Sequence, residues 1–327
     1  MGLPNRTRGL EYEPPAYPSL HSGVTAKPKT ANCKVEQGRV SMPSFILVGP
    51  PRTGTSWLHE VLRQHTNLPA PTKETRFFDK HFHRGLKWYG SHFPVFHAER
   101  PTGEIAPTYF ASLQARERLV ATIPGVKLVF VFRNPVQRVV SLYRVKRAYG
   151  MLPWSLEQAL DRDPELIASG KYGTHFGEWQ KVFRQDQLLP TVYDDLRNDP
   201  QAFMNTLCGF IGIPPVVLSR VQLGHIHSSE EMTEPRSFVA TRNATAIADW
   251  LKAKKLDKVV AVVRNSPLIK LFLGGGAPFP EVSEEMLNRL CCLFRPEVDR
   301  LELLLDRDLS AWKAVDANLS HSRTTLL

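Results

Sequence analysis

Residues 45–56 read Phe-Ile-Leu-Val-Gly-Pro-Pro-Arg-Thr-Gly-Thr-Ser and decide the fold of this 327-residue chain. The first four residues are apolar and predict a buried strand, and residues 55–65 predict the helix that follows. A glycine-rich turn between a strand and a helix is typical of a phosphate-binding loop, because its backbone N–H groups and the helix N-terminus attract an anion. This stretch therefore predicts an anion site at the end of a strand.

The loop departs from the nucleotide triphosphatase pattern at one position. The pattern G-x-x-x-x-G-K-[ST] is met at Gly49, Gly54 and Ser56. Thr55 occupies the position of the lysine that reaches the β- and γ-phosphates of a triphosphate. The cation of this loop is instead Arg52, three residues earlier. We therefore predict a ligand with a short 5′ anion rather than a triphosphate.

A second anion motif follows an unbroken apolar strand, Leu128–Phe132. The strand ends in Arg133, and an Asn-Pro pair then predicts the start of a helix. Ser141 lies about two turns along that helix. Ligands of open parallel sheets bind at the carboxyl ends of the strands, so Arg133 and Ser141 are predicted to hold a second phosphate, away from the first.

Two separate anion sites for one nucleotide indicate 3′-phosphoadenosine 5′-phosphosulfate. Residues 51–56 resemble the 5′-phosphosulfate loop of the sulfotransferase family, and residues 133–141 resemble its 3′-phosphate motif, with the family's spacing from arginine to serine. Four more segments, in the family's order, are similar to the branch that includes glycosaminoglycan and many bacterial sulfotransferases: 73–79, 83–89, 103–110 and 192–196.

This resemblance implies an enzyme that moves a sulfuryl group from 3′-phosphoadenosine 5′-phosphosulfate to an acceptor hydroxyl, or less favourably an amine. The implied acceptor is a small molecule, a glycolipid or a saccharide. The implied donor-binding residues are Arg52, Thr53, Gly54, Thr55, Ser56, Trp57, Arg133, Ser141 and, from the weakly matching segment 234–237, Arg236.

Three residues are predicted to take part in catalysis. Glu74 matches the family's catalytic glutamate and would take the acceptor proton. Arg52 would neutralise the leaving group, and His83 would act on the acceptor side. The alternatives are a solvated charge for Glu74, a surface charge at the helix entry for Arg52 and a structural role for His83.

The acceptor is less well defined by the sequence. Ile105 stands where the glycosaminoglycan branch tends to carry a lysine, which argues against a long polyanionic glycan. The aromatic side chains of Trp88, Tyr89, Tyr109 and Phe110 could form an acceptor wall or could pack in the core. Basic residues of the segment 144–147 could form part of a groove for a polyanion. We expect an acceptor with apolar or ring surface.

Strand and helix patterns alternate from residue 41 onward and predict a three-layer, P-loop-like α/β fold with a central parallel sheet flanked by helices. Residues 1–40 are polar and rich in proline, and predict a mobile arm. Residues 41–320 are predicted to form a single sulfotransferase domain. The predicted elements include strands at 45–48, 127–132 and 188–193 and helices at 55–65, 111–122, 135–149, 200–211 and 283–306.

Charge and motif content restrict the partners. The formal net charge of +10 and the pI near 9.5 suit a polyanionic nucleotide, but no run of five or more Lys or Arg occurs, so nucleic-acid binding is not predicted. No metal-ligand spacing is present, and no metal is expected. The sequence shows neither a long apolar segment nor a signal sequence, which predicts a cytoplasmic protein.

Two rival functions remain open at this point. A P-loop phosphotransferase would use the same sheet and loop, but it needs a lysine at position 55 and usually a carboxylate for Mg²⁺. A nucleotide-binding module without catalysis would need Arg52, Arg133 and Ser141 but not Glu74.

Overall fold

The computed structural model describes residues 42–93, 99–224, 233–253 and 276–315. The predicted arm, residues 1–40, lies outside these ranges, and the single domain 41–320 stays a prediction.

A four-stranded parallel sheet forms the centre of the fold, with the strand order β2-β1-β3-β4. Three of its strands are predicted from apolar runs in the sequence. The strand β2 was not predicted, because three residues give no readable pattern. The strands are β1 (Phe45–Gly49), β2 (Gly103–Ile105), β3 (Lys127–Phe132) and β4 (Leu188–Val192).

Helices fill the connections between the strands, as the alternating pattern predicts. Single turns of 3₁₀ or π type occur at Phe77–His81, Phe82–Arg84, Pro107–Tyr109, Gln185–Gln187 and Ser310–Lys313. The helices are α1 (Thr55–Leu62), α2 (Gly85–Gly90), α3 (Leu113–Thr122), α4 (Pro135–Ala148), α5 (Leu156–Arg162), α6 (Glu165–Ala168), α7 (Tyr172–Gln180), α8 (Tyr193–Asn198), α9 (Pro200–Ile211), α10 (Arg220–Gly224), α11 (Phe238–Ala253) and α12 (Glu284–Leu305).

Both faces of the sheet are buried, which explains why the strands are apolar without interruption. One face packs against α3, α7 and α12, and the other packs against α1 and α9. Alternate strand residues enter the two cores: Ile46, Val48, Leu128, Phe130 and Phe132 on the first face, and Phe45, Leu47, Ile105, Val129 and Val131 on the second. The predicted three-layer fold is confirmed.

The helix that follows β3 begins as its sequence predicts. The side chain of Asn134 accepts hydrogen bonds from the backbone N–H groups of Val136 and Gln137 at 2.9 and 3.3 Å, and Pro135 occupies the first helical position. Ser141 of this helix contacts Arg52 of the phosphate loop. In the part of the chain that the structure describes, no helix combines the length and apolar character needed to cross a bilayer.

Candidate active site

The phosphate loop between β1 and α1 needs glycine at two positions. Gly49 has φ of 100°, and a Cβ there would lie 2.6 Å from the Cα of Pro107. Gly54 has φ of 83°, and a Cβ there would lie 3.0 Å from the ring of Tyr193. Arg52 also has a positive φ, 72°, which is strained for a side chain of its size. The loop is therefore held in a shape that its neighbours on the sheet edge enforce.

The loop offers mainly backbone groups to a ligand. The hydroxyl of Thr53 is buried and donates to the carbonyl of Pro50 at 2.7 Å, so this side chain closes the loop. Gly54 is the N-cap of α1 and supplies no side-chain cap to its N–H groups. Trp57 is buried, and its Nε1 donates to the carbonyl of Gln222 at 2.7 Å, which fixes α1 to α10. The first N–H groups of α1 are thus suited to bind an anion.

The two predicted anion motifs meet in the structure. Nε of Arg52 donates to Oγ of Ser141 at 3.1 Å, and Nη1 of Arg133 donates to the carbonyl of Arg52 at 3.3 Å. Arg133 also lies over the ring of Tyr193, 4.9 Å from its centroid. The sequence predicts two separate phosphate sites, whereas in the structure Arg52 of the loop joins the two motifs. Its side chain contacts Ser141, and its carbonyl accepts from Arg133.

Three cations with no carboxylate partner among the described residues surround the loop: Arg52, Arg133 and Lys73. Burial lowers the pKa of Arg52, and the charge of Arg133 lowers it further. Burial also lowers the pKa of Arg133 and of Lys73. Nζ of Lys73 donates to Oγ of Ser56 at 3.0 Å. Three partly desolvated cations make this end of the sheet strongly attractive to an anion.

Glu74 lies next to these cations in the connection after α1. It is half-buried, and burial raises the pKa of its carboxyl, although the charges of Lys73 and Arg76 act in the opposite direction. Its carboxylate accepts no hydrogen bond from any described residue. A partly desolvated carboxylate with a raised pKa is suited to take a proton near neutral pH.

A buried glutamate holds the segment that carries Glu74. Glu104, at the centre of β2, is fully buried, and its Oε1 accepts hydrogen bonds from N and Oγ1 of Thr75 at 3.1 and 2.5 Å. Its Oε2 accepts a 2.7 Å hydrogen bond from the hydroxyl of Tyr89, and the hydroxyl of Tyr109 lies 3.3 Å from both oxygens. Burial raises the pKa of Glu104 to about 7, although the bonds from Thr75 and the tyrosines favour the charged form.

A cleft of about 410 Å³ lies beside the loop and the Glu74 segment. Pro51 of the loop and Arg76 both line it. Nη2 of Arg76 forms a 2.8 Å ion pair with Oδ2 of Asp79, and Oδ1 of Asp79 is buried without a hydrogen-bond partner in the described structure. The cleft opens beside the segment 73–79, and Glu74 is not among the residues that line it.

The remaining predicted site residues are His83 and Arg236. His83 is exposed, and its ring lies 6.2 Å from the ring of His81. Its catalytic role stays a prediction. Arg236 is also exposed, and Glu234 beside it forms a 2.6 Å ion pair with Arg147 of α4. Contact of Arg236 with the nucleotide stays a prediction as well.

The aromatic residues considered for an acceptor wall mostly pack in the core. Tyr89, Tyr109 and Phe110 are fully buried, and Trp88 is half-buried against the same core. The core alternative is therefore correct for the first three. Ile105 is likewise buried in the second core, so it does not line the cleft.

Two site residues, Lys73 and Glu104, were not assigned from the sequence. The signal for Lys73 was its position directly before Glu74 in a chain whose loop lacks a lysine. Glu104 gave no signal that distinguishes it from a solvated charge. Among the described residues, no group of three or more His, Cys, Asp or Glu side chains is placed to hold a metal ion.

Comparison with known proteins agrees with this geometry. The family model described as "Sulfotransferase domain" matches residues 42–246. Bifunctional heparan sulfate N-deacetylase/N-sulfotransferase 2 of Bos taurus is 30% identical over 228 residues, which are 62% of this chain and 25% of that protein. Heparan sulfate glucosamine 3-O-sulfotransferase 3A1 of Mus musculus is 29% identical over 221 residues, which are 65% of this chain and 56% of that protein.

The match therefore spans between a quarter and about half of these relatives. Among solved structures, the sulfotransferase from Alicyclobacillus acidocaldarius has a TM-score of 0.60 at 22% identity, covering 84% of this chain and 99% of its own, and it supports the fold. The resemblance stated from the sequence is confirmed: this chain belongs to the sulfotransferase family.

Proposed function

We propose that this protein transfers a sulfuryl group from 3′-phosphoadenosine 5′-phosphosulfate to a hydroxyl of an acceptor molecule. One observation carries the proposal: Arg52, Lys73 and Arg133 surround an uncapped helix N-terminus, and none of them has a carboxylate partner among the described residues. A ligand with anions at both its 5′ and 3′ ends would compensate all three charges.

The residues divide the reaction between them. The acceptor oxygen forms a bond to sulfur, and the bond between sulfur and the bridging oxygen of the 5′-phosphate breaks. The electron pair of the broken bond stays on the phosphate, whose charge Arg52 and the first N–H groups of α1 stabilise. Glu74 takes the proton of the acceptor hydroxyl.

The phosphotransferase alternative is disfavoured by the loop and by family membership. Thr55 is buried at the start of α1, in place of the lysine that a triphosphate requires. The non-catalytic alternative does not account for Glu74, a half-buried carboxylate beside the cations with no hydrogen-bond donor of its own in the described structure.

For the acceptor, we propose a neutral or weakly charged molecule with hydroxyl groups, such as a small natural product, a glycolipid or a short saccharide. The charged side chains that line the cleft are of both signs: Arg76 and Lys80, Asp79 and Glu165. Lys146 of α4 contacts both Asp163 and Glu165 at 2.6 Å, so its charge is already balanced. A long polyanion would meet carboxylates as well as cations in this region.

Three residues with hydroxyl side chains, Thr108, Ser112 and Ser169, also line the cleft. The hydroxyl of Ser112 accepts from the backbone N–H of Ala115 and can still donate to a hydroxyl of a sugar or polyol, whereas that of Thr108 is buried and that of Ser169 is held by Arg138 and Glu165. This lining suits an oxygen acceptor. An amine acceptor stays the less favoured alternative.

Two measurements test the function. Isothermal titration compares 3′-phosphoadenosine 5′-phosphate with ATP–Mg²⁺, and we expect the bisphosphate to bind far more tightly. A preference for ATP–Mg²⁺ would favour a phosphotransferase. Mass spectrometry of acceptor panels incubated with the donor should reveal the mass gain of one sulfuryl group on a hydroxyl compound. Donor binding without turnover on sugars, glycolipids, phenols and alcohols would favour the non-catalytic alternative.

A further inference from the structure

The phosphate loop lacks a lysine in its own sequence but has an ammonium group at its edge. Nζ of Lys73 donates a hydrogen bond to Oγ of Ser56 at 3.0 Å, across 17 residues of sequence. Ser56 is the second residue of α1 and follows Thr55, the position at which the triphosphatase pattern places its lysine. The connection after α1 therefore returns a cation to the loop.

The environment of Lys73 is unfavourable for a charge without a ligand. Burial lowers the pKa of its ammonium, and the nearby charge of Arg52 lowers the pKa further. The adjacent charge of Glu74 favours the ammonium form, yet no carboxylate lies within ion-pair distance of Lys73 among the described residues. Ser56 supplies only a neutral acceptor. An anion at the start of α1 would supply the missing compensation.

A purely structural role explains this arrangement less well. The hydrogen bond joins the half-buried Lys73 to the exposed hydroxyl of Ser56, and a polar contact of a long side chain with an exposed partner contributes little to stability. Holding two cations, Lys73 and Arg52, close together reduces stability, since their charges repel. The cation therefore has a better explanation in ligand binding than in folding.

We propose that Lys73 binds the 5′-phosphosulfate group of the donor and takes the place of the lysine that the loop lacks at Thr55. This inference rests on the proposed function, because it assumes that donor. As the bond between sulfur and the bridging oxygen breaks, the electron pair stays on the 5′-phosphate. Lys73 keeps its proton and donates a hydrogen bond to that phosphate, which stabilises the departing charge.

The proposal separates Lys73 from its sequence neighbour. Lys73 acts on the leaving phosphate, whereas Glu74 acts on the proton of the acceptor. Two adjacent residues would thus act on the two different oxygen atoms: the ammonium on the oxygen that leaves sulfur, and the carboxylate on the oxygen that bonds to it.

A binding experiment that requires no turnover tests this assignment. Titration calorimetry measures three ligands: 3′-phosphoadenosine 5′-phosphate, adenosine 3′-phosphate and adenosine 5′-phosphate. Each is titrated into wild type, Lys73→Met and Lys87→Met. Methionine approximates the length of the lysine stem without its charge. Lys87 is an exposed lysine of α2 and serves as the matched control.

Lys73→Met should weaken binding of the bisphosphate by about 10- to 100-fold, the range of a hydrogen bond to a charged group. Adenosine 3′-phosphate, which lacks the 5′ group, should bind the variant and wild type within about twofold of one another, because the partner of Lys73 is absent. Lys87→Met should match wild type for every ligand.

The outcomes distinguish this inference from the proposed function. If Lys73→Met weakens the ligands with and without the 5′-phosphate equally, Lys73 only shapes the loop and the inference is wrong. If wild type itself binds the bisphosphate no better than the two monophosphates, the proposed donor is wrong.

Discussion

Nε of Arg52 donates to Oγ of Ser141 over 3.1 Å, although 89 residues separate them in the sequence. This bond joins the phosphate loop after β1 to the helix after β3. The side chain of Arg52 therefore lies where it can contact both the 5′ and the 3′ anion of a nucleotide. Arg133 follows the second strand and donates its hydrogen bond to the carbonyl of Arg52. The two arginines should differ in ligand preference for that reason.

We expect Arg133→Ala to weaken binding of 3′-phosphoadenosine 5′-phosphate by about 1.5–3 kcal/mol, the range for a hydrogen bond to a charged group. Binding of the ligand without its 3′-phosphate should change much less. Arg52→Ala should weaken both ligands, because Arg52 belongs to the phosphate loop and its side chain also contacts Ser141 of the second motif. Calorimetric titration measures these affinities, with Arg63→Ala, an exposed residue directly after α1, as the control. Unchanged affinity in both folded site variants would contradict the donor assignment.

Replacing Glu74 by glutamine keeps the shape of the side chain and removes the base. We expect turnover to fall by about 10²–10⁴-fold, with little change in donor affinity. Steady-state rates with a responsive acceptor and titration with the bisphosphate measure the two quantities. Retained turnover in this variant would transfer the role of base to another group, with His83 the next candidate.

The pH dependence of turnover should show the effect of the charge of Lys73 on the pKa of Glu74. Glu74 must be ionised to accept a proton, and burial raises its pKa, so turnover should rise with pH through that raised pKa. The charge of Lys73 lowers the pKa of Glu74. The rising limb of the normalised pH–rate profile should therefore move to higher pH in Lys73→Met. A limb that moves to lower pH or does not move would show that another group controls it.

Glu104 should make the protein less stable as pH rises. The ordinary carboxyl pKa is 4.5, and burial raises the pKa of Glu104 to about 7, so the folded protein holds this proton more tightly than the unfolded chain does. Its contribution to the free energy of unfolding is fully present below pH 4.5 and is lost between 4.5 and about 7.

In Glu104→Gln no such proton is bound, so the variant should gain about 2.5 kcal/mol relative to wild type between pH 5 and pH 8. Urea unfolding of both proteins at the two pH values measures the difference. Glu60→Gln on the exposed face of α1 should show no such trend. A constant difference between Glu104→Gln and wild type would mean that the pKa of Glu104 in the folded protein is not raised to about 7.

Turnover on the acceptor should depend only weakly on ionic strength. Arg76 in the cleft pairs with Asp79, and Lys146 nearby pairs with Asp163 and Glu165, so we expect charge to draw the acceptor in only weakly. Rates measured with uncharged hydroxyl acceptors from about 0.05 to 0.5 M salt should change little once donor is saturating. Efficient sulfation of heparan-type chains, with steep loss of rate in salt and no reaction on uncharged compounds, would contradict this acceptor class.

Much of the sheet could be predicted because its strands are buried on both faces. The strand β3 was predicted at 127–132, the bounds that the structure has. The prediction was possible because the run Leu128–Phe132 contains no polar residue. The phosphate loop and the helix start at Asn134 follow from local backbone chemistry, which a few residues determine. These features depend on residues that are close together in the chain, so they can be predicted from a single sequence.

The contacts that complete the site depend on distant residues. Glu104 is buried only because Thr75, Tyr89 and Tyr109 surround it with donors. The aromatic residues near Glu74 likewise have the same composition whether they line a cleft or fill a core, and the structure places most of them in the core. Lys73 reaches the loop through the path of a connection that has no regular pattern.

The three cations around the loop favour ligand binding at a cost in the stability of the folded protein. Their mutual repulsion and partial desolvation weaken the ligand-free protein, while the same features create the attraction for a doubly anionic nucleotide. Variants selected only for heat resistance would therefore tend to replace these cations by uncharged residues and to bind the donor less tightly. Stabilisation that spares activity has to come from elsewhere, such as the exposed side chains of α12.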